Sequence, residues 1–391
     1  MAGKHYLKKL LTRKKSDNHS LNFGMKIFFA IKALDGVIGG AERVLTDISS
    51  GLANRGHDVS IITYDKPGGV TYYSLHNDIK RLNLGIGETT QSTNIVETVR
   101  RIVALRNVIK THQPDVIVGF MHSMFIPLGF AAMGTGIPVI ASEHTVQDHY
   151  RHHPYQNLML AMTPFITSCI VVVSDQVKDS YPERLRKHMI TILNPLQMNS
   201  QDCADVRGTE NERKILLSVG NLTPLKDHKT LLQAFSVLAD EFPDWDLRIV
   251  GEGGLRLDLE KQIQNLGLNN RVQLPGINPD INSEYAKAQL YVVPSLYESF
   301  GMATAEALAH GLPVTGFADC PGTNVLVKHN TNGILASGNN RADTLANSLK
   351  LLMSDPVKRS EYGKNASLGM EAHAINAVLD KWEKLLLSYI K

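Results

Sequence analysis

The sequence predicts an α/β chain made of two Rossmann-like domains facing a central cleft, and three observations predict it. Short apolar runs alternate with amphipathic helical segments, the pattern of βαβ crossovers and a parallel sheet. The alternation stops once, in the polar stretch 196–213, and then restarts. The length of 391 residues also suits two cores better than one.

The first run, 26–31, is apolar throughout, as a strand covered on both faces requires. An amphipathic helix over 41–55 follows, stopped by Gly56, and then a strand over 59–63. A helix over 95–110 and strands over 116–120, 138–141 and 170–173 complete the first unit. Beyond the polar stretch come a strand at 215–219, a helix over 228–241, and strands at 247–250, 272–274, 290–293 and 313–315. A helix over 302–310 is ended by Gly311 and Pro313. Helices over 342–353, 357–368 and 372–390 finish the chain. The division is a basic arm 1–24, a first Rossmann-like domain 25–195, a linker 196–213, a second Rossmann-like domain 214–370 and a closing helix 371–391 that returns to the first domain.

Composition excludes several classes. With 43% hydrophobic and 20% charged residues the chain reads as ordinary and globular. A net charge of +3 gives no global footprint for nucleic acid. The basic excess is local: Lys4, Lys8, Lys9, Arg13, Lys14 and Lys15, with Leu7, Leu10 and Leu11 on one helical face. This arm has two readings, peripheral attachment to an anionic membrane surface or a disordered leader ahead of an alternative start at Met25. Cys169, Cys203 and Cys320 lack C-x-x-C spacing, which points to a reducing compartment and to neither a disulfide framework nor a zinc knuckle. Residues 1–24 lack the apolar core of a signal peptide, and the apolar stretch 158–173 is short for a span and contains Pro164. The expectation is a cytoplasmic protein.

Chemistry concentrates after the strand 290–293. Glu298 lies in a strand-to-helix loop and Glu306 about one turn inside the helix, with the amides of Ser299, Phe300 and Gly301 placed at the helix N-terminus. Unpaired amides and the helix dipole there favour an anion, while the carboxylates suit hydroxyls. A nucleotide-sugar carries both. Four further clusters lie at strand ends. Gly39-Gly40, before Ala41-Glu42-Arg43, permits close backbone approach; a tight turn is the plain alternative. His144, after Ser142-Glu143, is placed to meet a substrate hydroxyl or to move a proton. His149, His152 and His153 downstream invite a metal reading, but no carboxylate or thiolate sits at ligand spacing, so an exposed acceptor-side segment is the simpler account. Asn221 and Lys226 follow the strand 215–219, where Lys226 can neutralise a diphosphate. Gly251-Glu252-Gly253 and Leu274-Pro275-Gly276 line the same rim.

In this order the motifs resemble those of the family 4 glycosyltransferases of the GT-B fold: Gly-Gly-Ala-Glu-Arg at 39–43, Glu-His at 143–144, Asn-Pro at 194–195, Lys226, Gly-Glu-Gly at 251–253 and the E-x7-E pair Glu298 and Glu306. The resemblance runs from about Met25 to the end. It implies a retaining, metal-independent transferase without a cofactor, using a nucleotide-diphospho-sugar donor and a lipid-linked or surface-polysaccharide acceptor. It assigns Glu306 to the ribose hydroxyls, and Lys226 with the Gly301 and Met302 amides to the diphosphate. Glu298 and the Ser299-Phe300 backbone fall to the sugar, Gly39-Gly40 to the diphosphate from the opposite domain, Gly251 and Gly253 to the donor rim, and His144 to the reacting centre. The last helix is expected to cross back onto the first domain. Two departures stand out: Asn221 occupies a position where many relatives carry Arg, with Arg256 or Lys229 as substitutes, and Pro321-Gly322-Thr323-Asn324-Val325 lacks an expected acid. The alternatives are a nucleotide-sugar epimerase of similar architecture, a noncatalytic nucleotide-sugar-binding partner and, least, a nicotinamide oxidoreductase using Asp65 for a ribose.

Overall fold

The computed structural model describes residues 24–87, 94–151, 153–196, 203–209 and 212–390. The arm 1–23 lies outside the described residues, as do His152 and parts of the linker. Among the described residues thirteen strands form two all-parallel sheets. The first contains β1 (Lys26–Ala30), β2 (Asp58–Thr63), β3 (Lys80–Asn83), β4 (Val116–Phe120), β5 (Val139–Glu143), β6 (Cys169–Val172) and β7 (Met189–Thr191), in the order 3-2-1-4-5-6-7. The second contains β8 (Lys214–Val219), β9 (Trp245–Val250), β10 (Val272–Gly276), β11 (Leu290–Val293), β12 (Val314–Phe317) and β13 (Gly333–Ala336), in the order 10-9-8-11-12-13.

Helices cover both sheets. On the first are α1 (Gly40–Asn54), α2 (Ile95–His112), α3 (His122–Ala132), α4 (Pro154–Ile166), α5 (Asp175–Ser180) and α6 (Glu183–Arg186). On the second are α7 (His228–Leu238), α8 (Arg256–Asn265), α9 (Ile281–Lys287), α10 (Met302–Ala309), α11 (Pro321–Leu326), α12 (Arg341–Met353) and α13 (Pro356–Ala366), and α14 (Ile375–Ser388) ends the described chain. Central strands are buried on both faces, β4 along its whole length. The edge strand β3 reads Lys-Arg-Leu-Asn and stays half exposed, the charged edge that discourages further pairing.

Each sheet reverses its strand order once, between β1 and β4 and between β8 and β11. At such a reversal the loops leaving the two carboxyl ends diverge and open a crevice. The loop after β1 leads to Gly39-Gly40, the loop after β8 to Asn221 and Lys226, and the loop after β11 to Glu298. Topology therefore sets the positions of the functional residues before any side chain does.

Three structures join the halves. Leu196 pairs in parallel with Ala374, and its amide donates to the His373 carbonyl at 2.7 Å, so two crossings of the chain lie side by side. The His373 ring meets the Asn194 carbonyl at 2.9 Å and packs against Phe300. Beyond them α14 buries Val378, Leu379, Trp382 and Leu386 in one core with Leu45, Ile48 and Leu52 of α1. A Cβ at Gly51 would overlap Leu379, so glycine is what lets the two helices approach. Arg55 holds Asp380 at 2.7 Å and Glu383 at 2.8 Å on the same seam. The expected helix over 372–390 is shorter, because a 3-10 turn (Met370–His373) and the extended Ala374 precede it.

Candidate active site

The donor-side residues gather at the crevice of the second sheet. Lys226 closes a 3-10 turn (Pro224–Lys226) behind β8, and its Nζ lies 2.5 Å from Glu298 Oε1. Ser295 Oγ donates to the same oxygen at 2.7 Å. The two groups expected to divide diphosphate and sugar between them thus hold each other here. The loop is held from below by Arg341, which donates to the carbonyls of Pro294 and Ser295 and stacks 3.6 Å from the Phe317 ring centroid. From the side, the Gly322 amide donates to the Glu298 carbonyl at 2.9 Å, and a Cβ at Gly322 would come within 2.7 Å of that oxygen. The 321–325 segment therefore supports the Glu298 loop through its backbone.

The position of the helix N-terminus corrects the sequence reading. Gly301, at φ 87°, is the cap, and the first ladder bond runs from the Ala305 amide to the Gly301 carbonyl. The amides outside the ladder are those of Met302, Ala303 and Thr304, while Ser299 and Phe300 precede the helix. Phe300 is buried, so its side chain belongs to the core between the halves. Gly251 and Gly253 have a packing role: a Cβ at Gly251 would overlap the Gly220 carbonyl, and one at Gly253 would lie 2.5 Å from the Leu222 carbonyl. Their smallness packs two loops of the rim together.

Across the cleft, α1 and α10 meet at their first turns. A Cβ at Gly40 would sit 3.5 Å from Met302 Cγ. One turn further in, Arg43 Nη1 lies 2.5 Å from Glu306 Oε1. Tyr285 donates from below to Glu306 Oε2 at 2.9 Å. Burial raises the Glu306 carboxyl above its usual range, with Arg43 and then Tyr285 pulling the other way. Tyr73 flanks the pair and is pushed up to about 12 by burial against the opposing pull of Arg43. Gly39 has a different neighbour: a Cβ there would overlap the Glu42 carboxylate, which folds back over the start of α1. Burial raises that carboxyl too.

On the acceptor side, His144 follows β5. Its ring stacks on Phe120, centroids 5.0 Å apart, and Nε2 lies 3.0 Å from Ser142 Oγ. Burial lowers this imidazole to about 4, so it is neutral at physiological pH. Glu143, fully buried, accepts from the Thr145 amide at 2.9 Å and from the Tyr150 hydroxyl at 2.8 Å. The Tyr150 hydroxyl also meets His122 Nδ1 at 3.0 Å. This network fixes the segment that carries His144. The rings of His149 and His153 lie 5.4 Å apart, and among the described residues no group of three His, Cys, Asp or Glu side chains could hold a metal ion.

Asn221 is exposed at the rim. Arg256 is held by Glu252 and Glu260, and Lys229 by Asp258, so the two proposed substitutes are already paired. Asp65 accepts from the amides of Leu34 and Asp35 and braces the loop after β1, which removes it as a ribose ligand. Sequence reasoning missed Tyr285, Arg341 and Tyr150, whose roles come from long-range contacts. Arg43 was visible in its motif, but its partner was not.

Two family models match consecutive parts of the chain: "Glycosyltransferase Family 4" over residues 38–196 and "Glycosyl transferases group 1" over residues 201–368. An uncharacterized glycosyltransferase of Haemophilus influenzae is 26% identical over 92% of this chain and 99% of its own length. A Campylobacter jejuni protein named as an alpha-1,4-N-acetyl-D-galactosaminyltransferase acting on a diNAcBac-PP-undecaprenol-linked GalNAc disaccharide is 27% identical, covering 93% of this chain and 98% of that one. Among solved structures, Anabaena HepE, determined with UDP and glucose, superposes with a TM-score of 0.74 at 20% identity over 93% of this chain and 100% of that chain.

Proposed function

The chain belongs to the family 4 glycosyltransferases and has the GT-B fold, and from that premise we propose that it moves a sugar from a nucleotide-diphospho-sugar to a hydroxyl of a lipid-linked or polysaccharide acceptor, with retention. One observation carries the reading. Lys226 and the unpaired amides of Met302 to Thr304 stand at the reversal of the second sheet, where Gly40 of the other domain closes on Met302. A helix N-terminus beside a lysine meets the charge of a departing diphosphate, and a glycine opposite leaves room for it.

In this reading the diphosphate takes Lys226 away from Glu298, which turns to the sugar hydroxyls, and Glu306 turns to the ribose. His144, neutral and braced by Ser142, offers a hydrogen bond at the reacting centre. The departing phosphate accepts the proton of the acceptor hydroxyl, so no protein nucleophile and no metal is assigned a step. The Campylobacter relative's lipid-linked acceptor supports a similar acceptor here. So does the outer face of α4, which starts at the cleft side of β5 and exposes Tyr155, Leu158 and Phe165, an apolar strip suited to peripheral contact with the cytoplasmic face of a membrane. Among the described residues no helix is long and apolar enough to cross one.

The test begins with thermal stabilisation by a panel of nucleotide-sugars, which reports donor binding without an acceptor. Nucleoside diphosphate release and product anomericity with lipid-linked acceptors follow. Stabilisation by none of the donors would sink the reading, and a free epimerised sugar nucleotide as product would replace it with an epimerase.

A further inference from the structure

A nucleoside diphosphate brings two or more negative charges, and among the described residues the second domain sets Lys226 beside the N-terminus of α10 through the Glu298 loop. Arg256 and Lys229 are held by carboxylates, and Arg341 lies beneath the loop between Asp319 and two carbonyls. Asn221 at the rim is neutral. The first domain's helix N-terminus does not make up the difference, since the Glu42 carboxylate covers it.

Resting on the nucleotide-diphospho-sugar reading, we propose that Arg43 supplies the second diphosphate cation, reaching across the cleft from the first domain. Three observations carry this. Its guanidinium is already across the cleft, 2.5 Å from Glu306 of α10. It remains 20% exposed, so a ligand can reach it. Its helix meets α10 through Gly40 and Met302, one turn toward the N-terminus, and helical side chains lean that way, over the place where the unpaired amides await an anion. Glu306 neutralises Arg43, as Glu298 neutralises Lys226. When Glu306 turns to the ribose hydroxyls, the guanidinium passes to the phosphate oxygens, which accept its paired N–H donors in fork geometry. One carboxylate thus exchanges a cation for hydroxyls while the cation exchanges a carboxylate for phosphate. Donor binding then requires the two domains to be together.

The experiment is calorimetric titration of the full-length protein with UDP and UMP, or with GDP and GMP if the thermal screen selects guanine donors. The wild-type ratio of diphosphate to monophosphate affinity is the reference. Arg43→Gln should lower that ratio about tenfold, as expected for loss of one charge-assisted phosphate contact. Arg43→Lys, which keeps the charge, should give an intermediate ratio. A Gln variant that loses both ligands equally, with the ratio unchanged, overturns the proposal and leaves Arg43 a holder of Glu306. A Lys variant falling as far as Gln also overturns it, because charge is then not what matters. Wild-type protein binding neither ligand of either pair defeats the donor reading itself, an outcome distinct from the other two. Unchanged circular dichroism and melting temperature certify that each variant is folded.

Discussion

Replacing Glu143 by Gln should remove a pH dependence from the stability of the first domain. Glu143 is fully buried at the end of β5, and burial pushes its carboxyl from an ordinary 4.5 up to about 7, against the opposing pull of its Tyr150 and Thr145 hydrogen bonds. Between those two values the folded carboxyl keeps a proton that the unfolded chain has released. Its contribution is therefore fully present below about pH 4.5 and is lost as pH rises to about 7. The interval corresponds to about 3 kcal/mol. Gln has nearly the same shape, can still accept from the Thr145 amide, and does not ionise. The stability of the variant relative to wild type should thus climb by about 3 kcal/mol from pH 4.5 to 7.5, in favour of Gln at the higher pH. Each domain has its own reporter, because the chain has two tryptophans: Trp245 in the core of the second, and Trp382 in that of the first through α14. Urea unfolding followed by Trp382 fluorescence, with Trp245→Phe in both proteins, isolates the relevant transition from a two-domain process that a single midpoint would blur. A difference between the two proteins that is constant with pH, or that falls, would refute the reasoning.

His144 is neutral above about pH 4, so kcat/KM should carry no step near 6.5 that it causes; His144→Gln should slow turnover by about 100-fold without reshaping the profile, and a wild-type step near 6.5 that disappears in the variant would contradict this. Glu306→Ala should weaken nucleotide binding by about 1.5–3 kcal/mol in calorimetry, and unchanged affinity would remove Glu306 from the site. At Gly322 a Cβ would press on the Glu298 carbonyl at 2.7 Å, so Gly322→Ala should cost activity out of proportion to melting temperature; normal kcat with normal KM would show that the loop does not depend on this contact. Incubation with EDTA should leave activity intact, and loss that zinc or magnesium restores would return attention to His149 and His153.

What the sequence disclosed were the strand ends. Glu298, Lys226, His144 and Gly39-Gly40 all follow apolar runs, so their placement at the mouth of parallel strands followed from the pattern alone. What it hid were pairings between residues far apart in the chain. Nothing local in Arg43 announces Glu306, and nothing in Tyr285 announces a carboxylate two elements on. Elements were missed for equally physical reasons. α3 is apolar on almost every side because it is buried between α2, α4 and the sheet, so it lacks the helical period. Pro127 within it and Pro164 within α4 sit inside helices, where proline ordinarily interrupts a helical pattern. β3 reads Lys-Arg-Leu-Asn and β13 Gly-Ile-Leu-Ala, and neither carries the β-branched apolar run that marks β6 and β11. Gly251 and Gly253 were placed on the donor rim, and the packing of each against the Gly220–Leu222 loop was not legible locally.

The return of α14 to α1 has a consequence for how the protein is made. Leu45, Ile48 and Leu52 of α1 are buried by Leu379, Trp382 and Leu386, which are synthesised only after the whole second sheet. About 180 residues separate β7 from α14, so at 5–20 residues/s the ribosome needs roughly 10–40 s to supply the missing cover. During that time the first half of the nascent chain presents an oily groove, with Gly51 at its floor, to anything nearby. A chaperone that recognises that groove, or a second half-made copy that fills it with the wrong helix, would compete with α14.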